Sequence, residues 1–536
     1  MDNLVQILYD NGNLVCILKL DEDISRHELN ITIDDIKKSD FFVACWLLSK
    51  LTPLFKLMPF EFNFACPKEL FDDISGSLNY CNNILHNTNE LIKSKESYLD
   101  VAKDNHNILY INVSEDLRYK SFYEILKDND KIKTHYLNMD LGFNRKTREW
   151  EERPEPISIS DLFQFIIDNK IKKIVSINEY FLNYYTMTYH INLATVLNKM
   201  GVEFITIDND PADLSPEGHY RRVIGCSDSG KRFSNLKCLN KDFDNLLGLE
   251  GVTYNAIPQD YRKSDIKRLE SDYDIVVLTN SRYHNVENLM SSINNLLKIL
   301  PADTIFDDIV NWYMAMRAII LSGTNFSEVN QMHMNSSLHG FFYTLVNWFK
   351  YKIIENIETD RKFHVYGDVG FKKICPELYR GSLDNKGINE LFEGNNLYLL
   401  MNFSYTYLDA SGPLYDMIRR GVPWLNVVTP IKSNSLKGLE LLEYNNDVEG
   451  LNNKINNAHE LYNNPHLLKA LDDYRLILKS SVDEMKSYII GTKNSNDLLF
   501  QKELDEHQII MDQTVEKYIQ NNEDLLRSSF KILFVI

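Results

Sequence analysis

The sequence predicts an α/β protein built from two parallel sheets in succession, with a small additional N-terminal α+β region. Three observations predict it. Short apolar runs alternate with helix-length stretches from residue 107 to 207, and the alternation restarts at residue 273. Glycine (21) and proline (14) are scarce, which suits long helices better than a β-sandwich. Polar and glycine residues gather just after several of the apolar runs, where an open parallel sheet presents its ligand edge.

The length, 536 residues, exceeds what one core supports and implies two or three domains. At the N-terminus, Val5 to Tyr9 and Leu14 to Leu20 flank Asn11-Gly12, a hairpin signal. A helical region is expected next. The apolar stretch Phe41 to Phe60 is broken by Lys50, Pro53 and Lys56, so it reads as a buried helix and turn rather than a membrane span. The first alternation then runs through a strand at Asn107 to Val113, a helix at 115–127, a strand at Thr134 to Leu137, a helix at 159–169 and a strand at Ile171 to Ile177. A helix at 186–200 and a strand at Val202 to Ile207 follow, and Val223 and Ile224 suggest one more strand. The second alternation begins at Tyr273 to Leu278 and continues through helices at 287–299, 304–322 and 327–357. Strands at Phe363 to Tyr366 and Leu397 to Met401, a helix at 413–420, a strand at Trp424 to Val428, and helices at 446–463 and 466–490 complete it. Strands alternating with helices of this length imply βαβ units. The expected organisation is an N-terminal region at 1–105, one α/β domain at 106–265, a second at 266–495 and a helical tail at 496–536, with a ligand cleft between the two α/β domains.

Composition excludes several classes. Lys and Arg total 58 against 76 Asp and Glu, a formal charge of −18, which repels a nucleic-acid backbone. No basic start or compact apolar core marks a signal peptide. The seven cysteines form no CxxC pair, which fits buried reduced thiols in a cytoplasmic protein. GxGxxG, the P-loop Lys-Ser/Thr pattern and the GxSxG elbow are absent, which argues against a standard NAD enzyme, an NTPase and a serine hydrolase.

The strand ends of the second half carry the chemistry. After YDIVVL stand Thr279, Asn280, Ser281 and Arg282; after FHVY, Gly367 and Asp368; after LYLLM, Asn402, Ser404 and Tyr405. Ser411-Gly412-Pro413 then opens a helix. The first amides of a helix lack internal partners and sit at the positive end of its dipole, which favours a phosphate. Gly412 admits a close approach and Pro413 suits the first turn. Asp416, one turn in, fits a ribose diol, although an acid there also complements the dipole. In the first half, Asp208-Asn209-Asp210 is a DxD after a strand, the pattern of metal-dependent GT-A enzymes, and Asp210-Pro211 also reads as a plain turn. Glu179 follows the strand IVSI; His190, His219 and His284 lie on or near loops, and the general base stays unassigned among these groups.

The run HVYGD, LYRGSLD and INELFEGNNLYLLMNFSYTYLDASGPLYDMIRRGVPWLNV resembles the donor-binding half of GT-B glycosyltransferases, nearest to the CgeB-like group of bacterial spore-coat and surface enzymes. The matching residues are Tyr366-Gly367, Tyr379-Arg380-Gly381, Asn402, Tyr415-Asp416 and Gly421. The resemblance covers about residues 270–490 and extends to 105–240 by architecture only. It implies two Rossmann-like domains facing across a cleft, a nucleotide-diphosphate sugar as donor, a protein or glycan acceptor, no integral membrane segment and no metal or other cofactor. It further implies that Asp416 holds the ribose, that amides of 411–414 with Arg282, Lys372 or Lys373 take the pyrophosphate, and that main chain from Arg380 to Leu383 holds the base. Asn280, Gly367, Asn402, Ser411 and Gly412 complete the donor side. Asp210 and Asp208 are catalytic candidates because the Asp-Pro loop resembles one that faces the cleft, and Glu179 is a third because it follows a strand end. Two other readings stand beside it: a nucleotide-sugar epimerase of the same architecture, and a non-catalytic sugar- or protein-binding module.

Overall fold

The computed structural model describes residues 4–10, 13–20, 23–32, 61–65, 83–84, 86–112, 117–139, 143–144, 149–150, 157–177, 180–208, 231–234, 250–253, 260–262, 264–279, 291, 294, 309–322, 328–401, 412–427, 439–444, 448–492, 509 and 513–534. The strand expected at Val223 and Ile224 and the helix expected at 287–299 lie outside these residues, apart from two positions of the latter. The chain forms two compact units. One comprises Met1–Tyr254, Ser322–Ser336 and Lys486–Ser495, the other Asn255–Leu321, Ser337–Met485 and Asn496–Ile536.

The first unit carries two larger sheets. Strands β1 (Leu4–Asp10) and β2 (Asn13–Leu20) pair antiparallel with Asp10 opposite Asn13, so Asn11-Gly12 is the two-residue loop its sequence predicts. Strand β3 (Asp23–Thr32) adds antiparallel to β2 first, and the helical region expected beyond the hairpin is described at 86–94. Strand β4 (Glu61–Ala65) adds parallel to β1. Pairing partners, which local pattern does not reveal, decide both.

The main sheet contains β5 (Asn107–Asn112) and β6 (Thr134–Asn138). A two-strand ribbon, β7 (Phe143–Asn144) and β8 (Glu149–Trp150), intervenes before β9 (Ile171–Ile177) and β10 (Glu203–Asp208). Two short strands, β11 (Lys231–Ser234) and β12 (Glu250–Thr253), complete the order β12-β11-β10-β9-β5-β6, all parallel. Neither short strand was expected, because KRFS and EGVT carry little apolar pattern; pairing with β10 holds β11, and pairing with β11 holds β12. Helices α1 (Leu117–Lys127) and α2 (Ile159–Asp168) lie between β5 and β9 in sequence. Ser158 caps α2 by accepting from the Asp161 amide at 3.1 Å and donates to its carboxylate at 2.7 Å. The single helix expected at 186–200 is two, α3 (Tyr180–Tyr189) and α4 (Leu193–Lys199). His190 breaks it at φ +50°, and Asn192 caps the second piece. Leu162, Phe163 and Ile166 of α2 pack with Leu109, Ile174, Phe204 and Leu197 in one buried core.

The second unit is built on β13 (Asp274–Leu278), β14 (Phe363–Tyr366), β15 (Tyr379–Gly381), β16 (Asn396–Leu400), β17 (Trp424–Val427) and β18 (Glu443–Tyr444). Their order is β15-β14-β13-β16-β17-β18 with every pair parallel. Counted along the chain this is 3-2-1-4-5-6, the Rossmann order. Helices α5 (Ile309–Ser322) and α6 (Glu328–Asn356) connect the first two strands, and α7 (Gly370–Ile374) the next two. Then α8 (Asn385–Glu393) crosses to β16, and α9 (Gly412–Arg420) connects β16 to β17. The stretch expected as one helix at 446–463 divides into α10 (Val448–Asn456) and α11 (Ala458–Tyr462). The longer α12 (Pro465–Ile489) and α13 (Glu523–Phe534) follow. Beside the two-residue β18, the phenol of Tyr462 accepts from the Trp424 amide at 2.7 Å and donates to the Trp424 carbonyl at 2.6 Å. Among the described residues no helix is long and apolar enough to cross a membrane.

Burial leaves several weak acids unwilling to ionise. The phenols of Tyr185, Tyr398 and Tyr462 are all pushed well above the ordinary tyrosine value by desolvation. The Cys375 thiol is pushed up to about 11, by burial first and the Glu355 charge second. In the unfolded chain the thiol releases its proton near 9.0 and the phenols near 10.0. The unfolded state therefore binds fewer protons above these values, and stability falls as pH rises. We expect the denaturant midpoint to hold at neutral pH and to decline steadily from about pH 9 upward. A flat profile to pH 11 contradicts the assignment.

Candidate functional site

In an open parallel sheet the chain reverses its direction of strand addition at one point, and ligands bind at the carboxyl ends of the strands there. In the second unit β13 is that strand, flanked by β14 and β16. The edge is tightly made. The Thr279 amide donates to the Tyr366 carbonyl at 3.1 Å, and the Gly367 amide donates to the Gly381 carbonyl at 3.1 Å. A Cβ on Gly367 would lie 2.1 Å from the Thr279 oxygen, so only glycine fits. The Tyr379 hydroxyl donates to the Gly367 carbonyl at 3.3 Å. Burial, then the Asp368 charge, raises its ionisation above the ordinary value. Asp368 itself accepts from the Gly370 amide at 3.0 Å, a side-chain turn just before α7.

Helix α9 begins with Gly412 after β16, which borders the reversal. Leu414, Tyr415, Met417 and Ile418 are buried. The helix closes with a Schellman pair: the Val422 amide donates to the Met417 carbonyl and the Gly421 amide to the Ile418 carbonyl. Gly421 takes φ +64°, and a Cβ there would meet the Asp265 oxygen at 2.3 Å. The buried Arg475 of α12 donates to the carbonyls of Ile418 at 2.8 Å and Arg419 at 2.7 Å, a positive charge at the negative end of the helix. Asp416 accepts from Arg419 at 3.0 and 3.3 Å on one oxygen and from Arg420 at 3.2 Å on the other. These are same-helix pairs at the spacings that bring side chains together. Arg420 also lies 4.7 Å from the centre of the Phe392 ring, and Phe392 packs on Tyr398 of β16.

Arg380 is turned to other partners. Its guanidinium donates to the Glu377 carbonyl at 2.7 Å and to His364 Nδ1 at 3.2 Å. An arginine only donates, so His364 Nδ1 is the acceptor and its Nε2–H donates to Asp274 at 3.3 Å. Lys372 and Lys373 stand exposed on α7. Gly367 and Gly412 thus mark strand and helix ends of one sheet edge, with Asp416 one turn inside α9. Asp208 closes β10 on the other sheet. Asn280, Arg282, Asn402, Ser411, Asp210 and Glu179 lie outside the described residues, as do Ser404, Tyr405, His219 and His284.

Two residues escaped the sequence reading. Arg475 sits in a charged helical stretch, DDYRLILK, that resembles a solvated face. Asn426, within WLNVV, looked like part of an apolar run. It is 1% exposed, and its side-chain carbonyl has no hydrogen-bond partner among the described residues. A lone amide in an otherwise apolar strand was the available signal.

Fold and site together define a mixed α/β protein with two parallel-strand sheets, one of them in Rossmann order with a helix starting at its carboxyl edge. No protein-family model and no curated protein matches the chain.

Proposed function

We propose that the chain is a glycosyltransferase of the GT-B kind, which moves a sugar from a nucleotide-diphosphate donor to a protein or glycan acceptor without a metal. The observation that supports this reading is the second unit's 3-2-1-4-5-6 sheet, with α9, which starts at Gly412, the next described element after the strand beside the reversal. That arrangement offers amides and a positive dipole end to a diphosphate. In the reaction the acceptor oxygen bonds to the anomeric carbon as the bond to the nucleoside diphosphate breaks. The leaving diphosphate gains negative charge, which the amides of 411–414 and Arg282 offset. Main chain from Arg380 to Leu383 holds the base, and Asn280, Gly367, Asn402 and Ser411 complete the donor side of the proposal. The acceptor proton passes to one of three carboxylates, Asp208, Asp210 or Glu179.

A panel of nucleoside diphosphates tests the reading by thermal shift, since a ligand of the folded state raises its midpoint. No shift with any of them defeats it. Asp416→Ala is expected to weaken donor binding roughly tenfold or more in calorimetry while the chain stays folded, because it removes a charged acceptor for the ribose. Unchanged affinity removes the ribose role.

A second reading, a binding module without turnover, gains from the pairing of Asp416 with Arg419 and Arg420, which gives the acid a structural occupation. It predicts a nucleotide shift with neither transfer nor donor hydrolysis. An epimerase, by contrast, converts donor with no acceptor present.

A further inference from the structure

Asn426 stands one residue from the carboxyl end of β17, opposite Leu400 of β16 and Glu443 of β18. Side chains alternate along a strand, so Asn426 shares a face with Trp424 and, through the register, with Tyr398. That face is the one covered by α8 and α9, as the Phe392–Tyr398 and Arg420–Phe392 contacts establish. Helix α9 runs back against the strands. Its nine residues span about 13 Å, as do the four of β17, which sets the first turn of the helix level with the strand end at Asn426. A buried amide oxygen without a donor is destabilising, and each such group in a native protein calls for a reason. Leucine at this position would fill similar space without that cost.

We infer that Asn426 is a ligand-recognition residue: its carbonyl accepts a hydroxyl of the bound nucleotide sugar beneath the first turn of α9. The inference rests on the nucleotide-sugar reading above. A phosphate oxygen without a proton only accepts, so it cannot serve an acceptor carbonyl; a ribose or sugar hydroxyl donates. Helix amides and the Asn426 oxygen are then complementary, one taking the diphosphate and the other an adjacent hydroxyl. The oxygen is covered in the unliganded chain, so the hydroxyl reaches it by displacing part of that cover.

The test compares the full-length wild type with Asn426→Leu, using UDP, GDP, ADP, CDP and TDP and then UDP-glucose and GDP-mannose. The variant is expected to melt at the same temperature as the wild type or higher, and to bind roughly tenfold or more weakly. Loss seen already with the diphosphates assigns the ribose hydroxyl; loss confined to the sugar nucleotides assigns the sugar. Wild-type affinity in Asn426→Leu overturns the inference and leaves the amide to a buried water. No nucleotide shift in the wild type itself overturns the nucleotide-sugar reading and this inference together. If Asn426→Leu does not fold, Asn426→Val, whose branched side chain suits a strand and offers no acceptor, is judged by the same affinity criterion.

Discussion

Gly367→Ala is expected to cost about 3 kcal/mol or more and to disrupt the carboxyl edge of the second sheet. The added carbon would sit 2.1 Å from the Thr279 carbonyl oxygen, with Phe371 3.2 Å away on another side. Backbone cannot swing aside as a long side chain can. Thr279 is held by its own bond to Tyr366, and Gly367 by its bond to Gly381, so relief on one side breaks a ladder on the other. Hydrogen exchange of the β13, β14 and β15 amides is the direct measurement, since it reports local opening. Accelerated exchange confined to these strands is the expected result. Wild-type exchange would mean that the strands part more easily than their contacts imply.

Arg475→Met is expected to cost about 3 kcal/mol, the second of the large effects. Methionine keeps the length and the apolar stem, so the loss isolates the guanidinium. Arg475 is 3% exposed, and its two bonds satisfy the carbonyls of Ile418 and Arg419 at the end of α9. Burial first, and the Arg262 charge beside it, hold its ionisation below the usual arginine value, partly offset by Asp472, Asp265 and Asp260. The Arg419 carbonyl is left without that donor and the Ile418 carbonyl keeps only the Gly421 amide, which outweighs the relief of removing a buried charge. Arg475→Lys supplies one point donor in place of a fork and should fall between. Urea denaturation followed by tryptophan fluorescence measures both, because buried Trp424 opens the strand that follows α9. Equal midpoints for wild type and Arg475→Met would show that the carbonyls find other donors.

The parts of the fold readable in advance were those whose instructions are local. FHVY and IKKIVSI are strands by composition, and Asn11-Gly12 writes its own turn. The start and stop of α9 were likewise legible, since Gly412-Pro413 and Gly421 punctuate it. Strands such as KRFS and YRG were not, because a short polar segment becomes a strand only through its neighbours' free backbone groups. For the candidate site, the glycine after FHVY was visible, whereas the opposing Thr279 oxygen that demands it was not. Asp416 was visible, but the arginines at i+3 and i+4 that pair with both its oxygens were not read from the sequence. Asn426 was hidden inside an apolar run because periodicity counts polarity and does not ask where a partner stands.

The bidentate phenol of Tyr462 bears on how this chain behaves in company. A short final strand leaves raw main-chain groups on the margin of a sheet, and such margins recruit foreign strands. Here one ring oxygen occupies both groups of Trp424, so that part of the border offers nothing to zip onto. The molecule thereby gains a side-chain stopper against edge-to-edge aggregation, and it spends a single residue rather than an extra strand to do so.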